Sequence, residues 1–126
     1  MLKYRRAWLA GGWLLAGLVV YLSLIPHPPE MSALSFPNAD KLGHGLTYTL
    51  LSWWFCQIYL AVRQRAVAVV MLIALGIALE FLQGMGGYRM FEVLDMLADS
   101  LGVLLGLLLA RTALGRVFIF IETALR

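Results

Sequence analysis

Charge is what this sequence most lacks. Only 13% of its 126 residues are charged and 62% are hydrophobic, whereas a soluble domain carries about 25% charged residues. That balance excludes an ordinary soluble globular domain. Cysteine is almost missing as well. Cys56 is the only one, which rules out an intramolecular disulfide, and its place inside an apolar run reads as a small buried hydrophobe. The four prolines, Pro26, Pro28, Pro29 and Pro37, all fall in one connector, where a helix cannot continue. There is no internal repeat, no low-complexity stretch, and no CxxC or HExxH spacing. Ser52 and Ser100 sit in no recognisable nucleophile context. The length leaves room for a single domain, residues 1–126.

What is present is four long apolar stretches. The first, Ala7 to Ile25, follows Lys3, Arg5 and Arg6 and is long enough to span a bilayer. Its exit, Ser23-Leu24-Ile25-Pro26, offers no small-residue cleavage site, so it reads as an uncleaved span rather than a signal peptide. The second runs from Asp40 to Ala61, with Asn38 as a candidate cap and Asp40 where a helix N-terminus favours negative charge. The third covers Val67 to Leu82 and is broken by Gly84, Gly86 and Gly87. The fourth covers Val93 to Ala110. In the tail from Thr112, the helically spaced Leu114, Val117, Phe118, Ile121 and Leu125 predict a short helix lying in the membrane interface. The predicted fold is therefore all-α: four transmembrane helices plus a short C-terminal interfacial helix.

Four spans place the N-terminus, the 62–66 loop and the tail on one side. That side holds Lys3, Arg5, Arg6, Arg63, Arg65, Arg111, Arg116 and Arg126, against Lys41 and Arg89 on the other. The positive-inside rule then sets both termini in the cytoplasm. Membrane orientation accounts for the basic residues, so nothing supports nucleic-acid binding.

Ionisable groups near hydrocarbon cost roughly 2.5–3.5 kcal/mol each even on lenient scales, and here they cluster. Asp40 and His44 lie at the outer end of the second span, continued at four-residue spacing by Tyr48 and Ser52. Glu80 and Gln83 lie at the outer end of the third, Arg89 in the loop that follows, and Asp95 and Asp99 in the outer half of the fourth. Asp95, Asp99, Gly102 and Gly106 share one helical face; Gly76, Glu80 and Gln83 share another. Small residues admit close helix approach, so both stripes are expected to face inward. Gly102 and Gly106 would serve equally to pack helices within one chain or to form a homodimer.

The run Asp40-Lys41-Leu42-Gly43-His44 with Tyr48, then Glu80-x-x-Gln83, then Arg89 followed by Asp95, Asp99, Gly102 and Gly106 resembles the VanZ-like family of small bacterial membrane proteins. The resemblance covers residues 38 to 108, with the first span matching by position alone. Asp99 stands where the family usually has Asn, and Glu92 where it often has Asp. The resemblance implies a multi-pass protein of the bacterial cytoplasmic (inner) membrane, some relatives of which are linked to resistance to teicoplanin-type glycopeptides.

Several readings of the cluster follow. Asp40, Lys41, His44, Tyr48, Glu80, Gln83, Arg89, Asp95 and Asp99 form a candidate binding site for membrane lipids or an envelope precursor. His44, Glu80, Asp95 and Asp99 are the candidates for acid–base catalysis, since neighbouring carboxylates cannot all ionise freely and one becomes an acid beside a base. Arg89 could hold a phosphate or simply neutralise Asp95 or Glu92. The same carboxylates with His44 could ligate a metal, although the spacing names none, and no cofactor is implied. A scaffold role, with polar groups fixing helix register, is the remaining alternative. His27, between prolines, reads as a solvated loop residue. Reporter fusions after Arg65 and after Arg126 should both report a cytoplasmic location, and one after Glu30 an external one. A cytoplasmic Glu30 fusion would turn the polar cluster inward and defeat these site readings.

Overall fold

The computed structural model describes residues 1–25, 39–87 and 92–126, and among them it is helical throughout, without a strand. The helices are α1 (Arg5–Leu24), α2 (Ala39–Ile58), α3 (Val62–Met85), α4 (Val93–Ala110) and, after a 3₁₀ turn at Ala113–Arg116, α5 (Val117–Ala124). Asn38 and Arg89 lie outside the described residues. The bounds of α4 are those the sequence predicts. By contrast, α3 starts five residues early, because Arg63, Gln64 and Arg65 are good helix formers, and it runs through Gly84 to end at Met85, with Gly86 as its C-cap. Among the described glycines only Gly87 takes a positive φ, 72°, the left-handed conformation that commonly closes a helix.

Three of these helices, α1, α3 and α4, are long and apolar enough to cross a membrane. Helix α2 is equally long but carries Asp40, Lys41, His44, Gln57 and four hydroxyl residues. It solves this by position: it lies along α4 over most of its length and also touches α1 and α3. The result is inside-out for a water-soluble protein. Thr49, Ser52, Gln57, Glu80, Gln83, Asp95 and Asp99 are buried, while Trp13, Leu14, Leu18, Val70, Met71, Leu97, Leu101 and Leu108 are exposed. Apolar residues on the outside and polar ones within are what a lipid solvent requires. Between them lies a core of Ala16, Val19, Tyr48, Leu51, Phe55, Val69, Leu72 and Val103.

Two glycines set the α2–α4 distance. A Cβ on Gly102 would collide with the Gly45 carbonyl, and one on Gly106 with the Thr49 carbonyl and the Ser52 side chain. The backbones are therefore in direct contact, and Ser52 Oγ crosses the seam to donate to the Val103 carbonyl at 2.7 Å. The small-residue pair is thus filled within the chain.

In the tail the 3₁₀ turn and α5 dock back on the bundle through one face. Leu114 and Leu125 are exposed, and the docked face is Gly115, Phe118 and Glu122. Phe118 stacks on Trp8 at 3.9 Å, with Trp53 and Trp54 edge-on around it. Glu122 accepts the backbone N–H groups of Lys3 (2.7 Å) and Tyr4 (2.9 Å) and the Trp8 indole N–H (2.9 Å). Burial would raise its carboxyl, but these three donors prevail and hold it below the ordinary glutamate range. A carboxylate at the start of α1 also answers that helix's positive end. Arg65, read from sequence as an orientation charge, reaches back to cap α2 by donating to the Cys56 and Tyr59 carbonyls at 2.8–3.0 Å. Gln57 accepts from the Phe118 N–H, and its Nε2 is buried without a partner, for which we have no physical account.

Gly106→Val should be among the most damaging single changes, because its neighbour is backbone that cannot yield. The expected loss is at least about 3 kcal/mol, the top of the overpacking range, read as a large fall in the thermal midpoint of purified protein. Gly17→Ala, whose Cβ would meet nothing, should be neutral.

Candidate functional site: a carboxylate cluster at one end of the bundle

The site is assembled from the first turns of α2 and α4 and the last turns of α3. Because α2 and α4 touch backbone to backbone, residues on their facing stripes meet directly. His44 Nδ1 lies 2.9 Å from Asp99 Oδ1, spanning the seam one turn above Gly102. Asp99 and Tyr48 both lie against Gly76 of α3: a Cβ there would stand 3.0 Å from Asp99 Oδ2 and 3.4 Å from the Tyr48 ring. Gly76 therefore makes room for the Asp99 carboxylate. Tyr48 and Asp99 are almost completely buried.

Nearer the helix ends, Lys41 is the hub. Its Nζ donates to Glu92 Oε2 at 2.8 Å and Asp40 Oδ2 at 3.2 Å, and stands 3.5 Å from Asp95 Oδ1. The last distance is an ion pair without a hydrogen bond. Asp95 Oδ1 is buried and has no hydrogen-bond partner. Glu80, 2% exposed, reaches from α3 to accept the backbone N–H of Glu92 at 2.7 Å. Glu92 is the N-cap of α4 and makes no side-chain cap of its own, so Glu80 satisfies one of that helix's orphan donors. Glu80 also lies within electrostatic reach of His44, Asp95 and Asp99.

The predicted residues thus sort themselves. Asp40, Lys41, His44, Tyr48, Glu80, Asp95 and Asp99 come together at one end of α2, α3 and α4. Gln83 does not join them. It turns to α1 and donates to the Ser23 carbonyl at 2.7 Å, tying two helices instead. Ser52 is likewise spent on the α2–α4 seam. Arg89 falls outside the described residues, and the partner found for Glu92 and Asp95 is Lys41. His44 pairs with Asp99 rather than with Asp40 or Glu80. Sequence reasoning underrated Glu92, which makes the shortest ion pair of the cluster. The available signal was its position at the start of an apolar helix beside Asp95.

Five carboxylates, one ammonium and one imidazole share this end among the described residues, so its electrostatic balance is acidic. Of the four residues that sequence suggested as metal ligands, three are engaged with protein groups: His44 with Asp99, and Glu80 with α4. The group with oxygens in common reach is different, Asp40, Glu92 and Asp95, whose carboxylate atoms lie within 4.8 Å of one another. Chemically, the arrangement offers a positioned His–Asp pair, a lysine held between acids, and a buried carboxylate oxygen without a donor.

Comparison with known proteins agrees with the motif reading. The VanZ/LLP1 family profile matches residues 12–118. A protein of the fission yeast Schizosaccharomyces pombe, named Uncharacterized protein C11E3.10, is similar at 33% identity over 98 residues, which is 75% of this chain and 60% of the relative. The chain thus spans less than two thirds of that relative's length. No solved structure matches.

Removing the Glu80 carboxylate strands the Glu92 N–H. Glu80→Ala should therefore destabilise the start of α4 by about 1–3 kcal/mol, while Glu80→Gln, which keeps an acceptor oxygen, should lose less. Amide hydrogen exchange at Glu92 in detergent or nanodiscs measures the difference. Equal protection in wild type and Glu80→Ala would remove Glu80 from its capping role.

Proposed function

The chain belongs to the VanZ/LLP1 family, and from that premise we propose that it is a four-span membrane protein whose outer end binds the head group of an envelope lipid or lipid-linked precursor. Helix α2 is the fourth span in this reading. At 1.5 Å per residue its 20 residues reach about 30 Å, the thickness of the hydrocarbon core. Its one lipid-facing stripe, Leu42, Leu46 and Leu50, is apolar and exposed, while Thr49, Ser52 and Gln57 are buried within the bundle. Both termini are cytoplasmic by the eight-to-two division of Lys and Arg, which sets the carboxylate cluster in the opposite, outer leaflet.

The observation that carries the reading is the burial of Glu80, Asp95 and Asp99, each under a tenth exposed, at one end of a bundle with an apolar exterior. Such groups are expensive in a membrane. Interhelical hydrogen bonds there average only about 0.6 kcal/mol, too little to justify so many carboxylates as scaffold. A fungal relative extends the family beyond bacteria, which favours a ligand class common to both, a lipid head group. In a bacterial inner membrane the ligand would be an envelope precursor, and the phenotype a change in teicoplanin-type glycopeptide susceptibility.

The His44–Asp99 pair favours one second reading, acid–base chemistry on the bound head group. A histidine oriented through Nδ1 by a carboxylate presents Nε2 as a base.

Mass spectrometry of lipids that co-purify with wild type, Asp95→Asn and Glu80→Gln tests the proposal. One lipid class should be enriched over bulk membrane with wild type and fall several-fold with Asp95→Asn. If the site is catalytic, the bound lipid survives in the variants while turnover disappears. Identical profiles, together with unchanged glycopeptide susceptibility in cells lacking the protein, would reject the head-group reading.

A further inference from the structure

The end of the bundle that holds the chain termini carries Lys3, Arg5, Arg6, Arg63, Arg65, Arg111, Arg116 and Arg126 against one acid, Glu122. Glu122 is buried, and its oxygens are taken by the Lys3 and Tyr4 N–H groups and the Trp8 indole. Half of the cations are engaged with the chain itself. Arg65 donates to carbonyls at the end of α2. Arg5 lies 5.5 Å from the Tyr59 ring centroid and Lys3 5.0 Å from that of Tyr4, and Arg126 is within electrostatic reach of Glu122. Arg6, Arg63, Arg111 and Arg116 are exposed and enter no ion pair among the described residues. Orientation in a membrane requires basic residues on one side. It does not require that they lack acidic partners, nor that one of them ride on the outer face of a docked helix.

Helix α5 has two such faces. Phe118 and Glu122 are buried against the bundle, whereas Ile119 and Phe120, 40% and 73% exposed, look outward with Thr123. Arg116 is the N-cap residue of α5; three residues before Ile119 and four before Phe120, it falls on that outward side. Leu114 adds a half-exposed apolar side chain from the preceding turn. The face is fixed in place. A Cβ on Gly115 would collide with the Ala110 carbonyl, the Trp53 indole donates to the Leu114 carbonyl at 3.0 Å, and the Phe118 N–H donates to Gln57 at 3.1 Å. The outward face is therefore held beside the end of α4, whose apolar run stops at Ala110. For a bilayer crossed by α4, that is the level of the lipid phosphates.

We propose that this face binds acidic phospholipid: Arg111 and Arg116 hold the phosphate, and Phe120, Ile119 and Leu114 lie against the first carbons of the acyl chains. Charge and height choose this occupant. A guanidinium matches a phosphate with paired hydrogen bonds, and no acid of the chain competes for these two. A free phosphate would leave Phe120 and Ile119 in water, and a soluble acidic protein would have to reach down to the head-group layer. Helix α5 is thereby held from both sides, by the tryptophan cage within and by lipid without. The surface lies at the opposite end from the carboxylate cluster and stands apart from the head-group reading made for that cluster.

The test uses the full chain in mixed micelles containing equal amounts of phosphatidylglycerol and phosphatidylcholine, with retained lipid counted by native mass spectrometry. Wild type should retain phosphatidylglycerol several-fold over phosphatidylcholine, and the preference should shrink as salt is raised. Arg111→Gln and Arg116→Gln should each lower phosphatidylglycerol retention about fivefold, the effect expected of one basic residue at an anionic surface. Both positions are exposed, so thermal midpoints should stay at the wild-type value, and Arg116→Lys, which keeps the charge, should recover most of the loss. Phe120→Ser should weaken retention of both lipids and leave the salt response intact. Equal retention of the two lipids by wild type, or undiminished preference when both arginines are replaced, overturns the surface. Inorganic phosphate at matched ionic strength should not displace the lipid; displacement would assign the arginines to a free anion and overturn the lipid assignment. Asp95→Asn separates the two ends of the bundle. Phosphatidylglycerol lost in Asp95→Asn but kept in the arginine variants belongs to the carboxylate cluster and overturns this surface. Loss in the arginine variants alone supports it, whatever becomes of the head-group reading.

Discussion

The backbone contact between α2 and α4 is the constraint on which the rest of the molecule depends. It exists because Gly102 and Gly106 present no side chain to the carbonyls of Gly45 and Thr49. Dispersion and cross-seam hydrogen bonds such as Ser52 to Val103 reward close approach in lipid, where no hydrophobic force drives helices together. Once the axes are that close, residues one turn further along must meet. His44 opposite Asp99 and Lys41 opposite Glu92 and Asp95 are consequences of that register. A side chain at either glycine would separate the helices and dissolve the site with them.

The same constraint explains how a helix as polar as α2 is accommodated in the bundle. The hydroxyls of Thr47, Thr49 and Ser52 bond to carbonyls within the bundle, its histidine meets a carboxylate, and its leucines at four-residue spacing face outward. Polar residues that would be prohibitive on an isolated span become tolerable when three apolar helices surround them. The polar content of α2 and its central place are two sides of one solution.

The two ends of the bundle are finished differently. At the end holding the chain termini, Phe118 fills a tryptophan cage and Glu122 has three donors on its two oxygens. That end is closed, apart from the Gln57 amide. At the other end, among the described residues, the acids outnumber the cations, and Asp95 Oδ1 has the Lys41 ammonium at 3.5 Å but no hydrogen bond.

Helix content, the bounds of α4, the inward facing of Asp95, Asp99, Gly102 and Gly106, and the family itself were legible in the sequence. Each follows from local periodicity or from motifs a few residues long, because hydrocarbon imposes a simple rule on which face a residue takes. Partner choice was not legible. Arg89 was the candidate to meet Asp95 or Glu92 and Lys41 was not, Gln83 looked like a member of the cluster, and Glu122 drew no notice. The docking of α5 on the bundle was not legible either, since the tryptophan cage that receives Phe118 comes from α1 and α2. The sequence by itself determined the helices and which of their faces turn inward. Only the tertiary structure decided which atoms meet, because register and rotation between helices are set by backbone contact at two glycines, a quantity that no single helix contains.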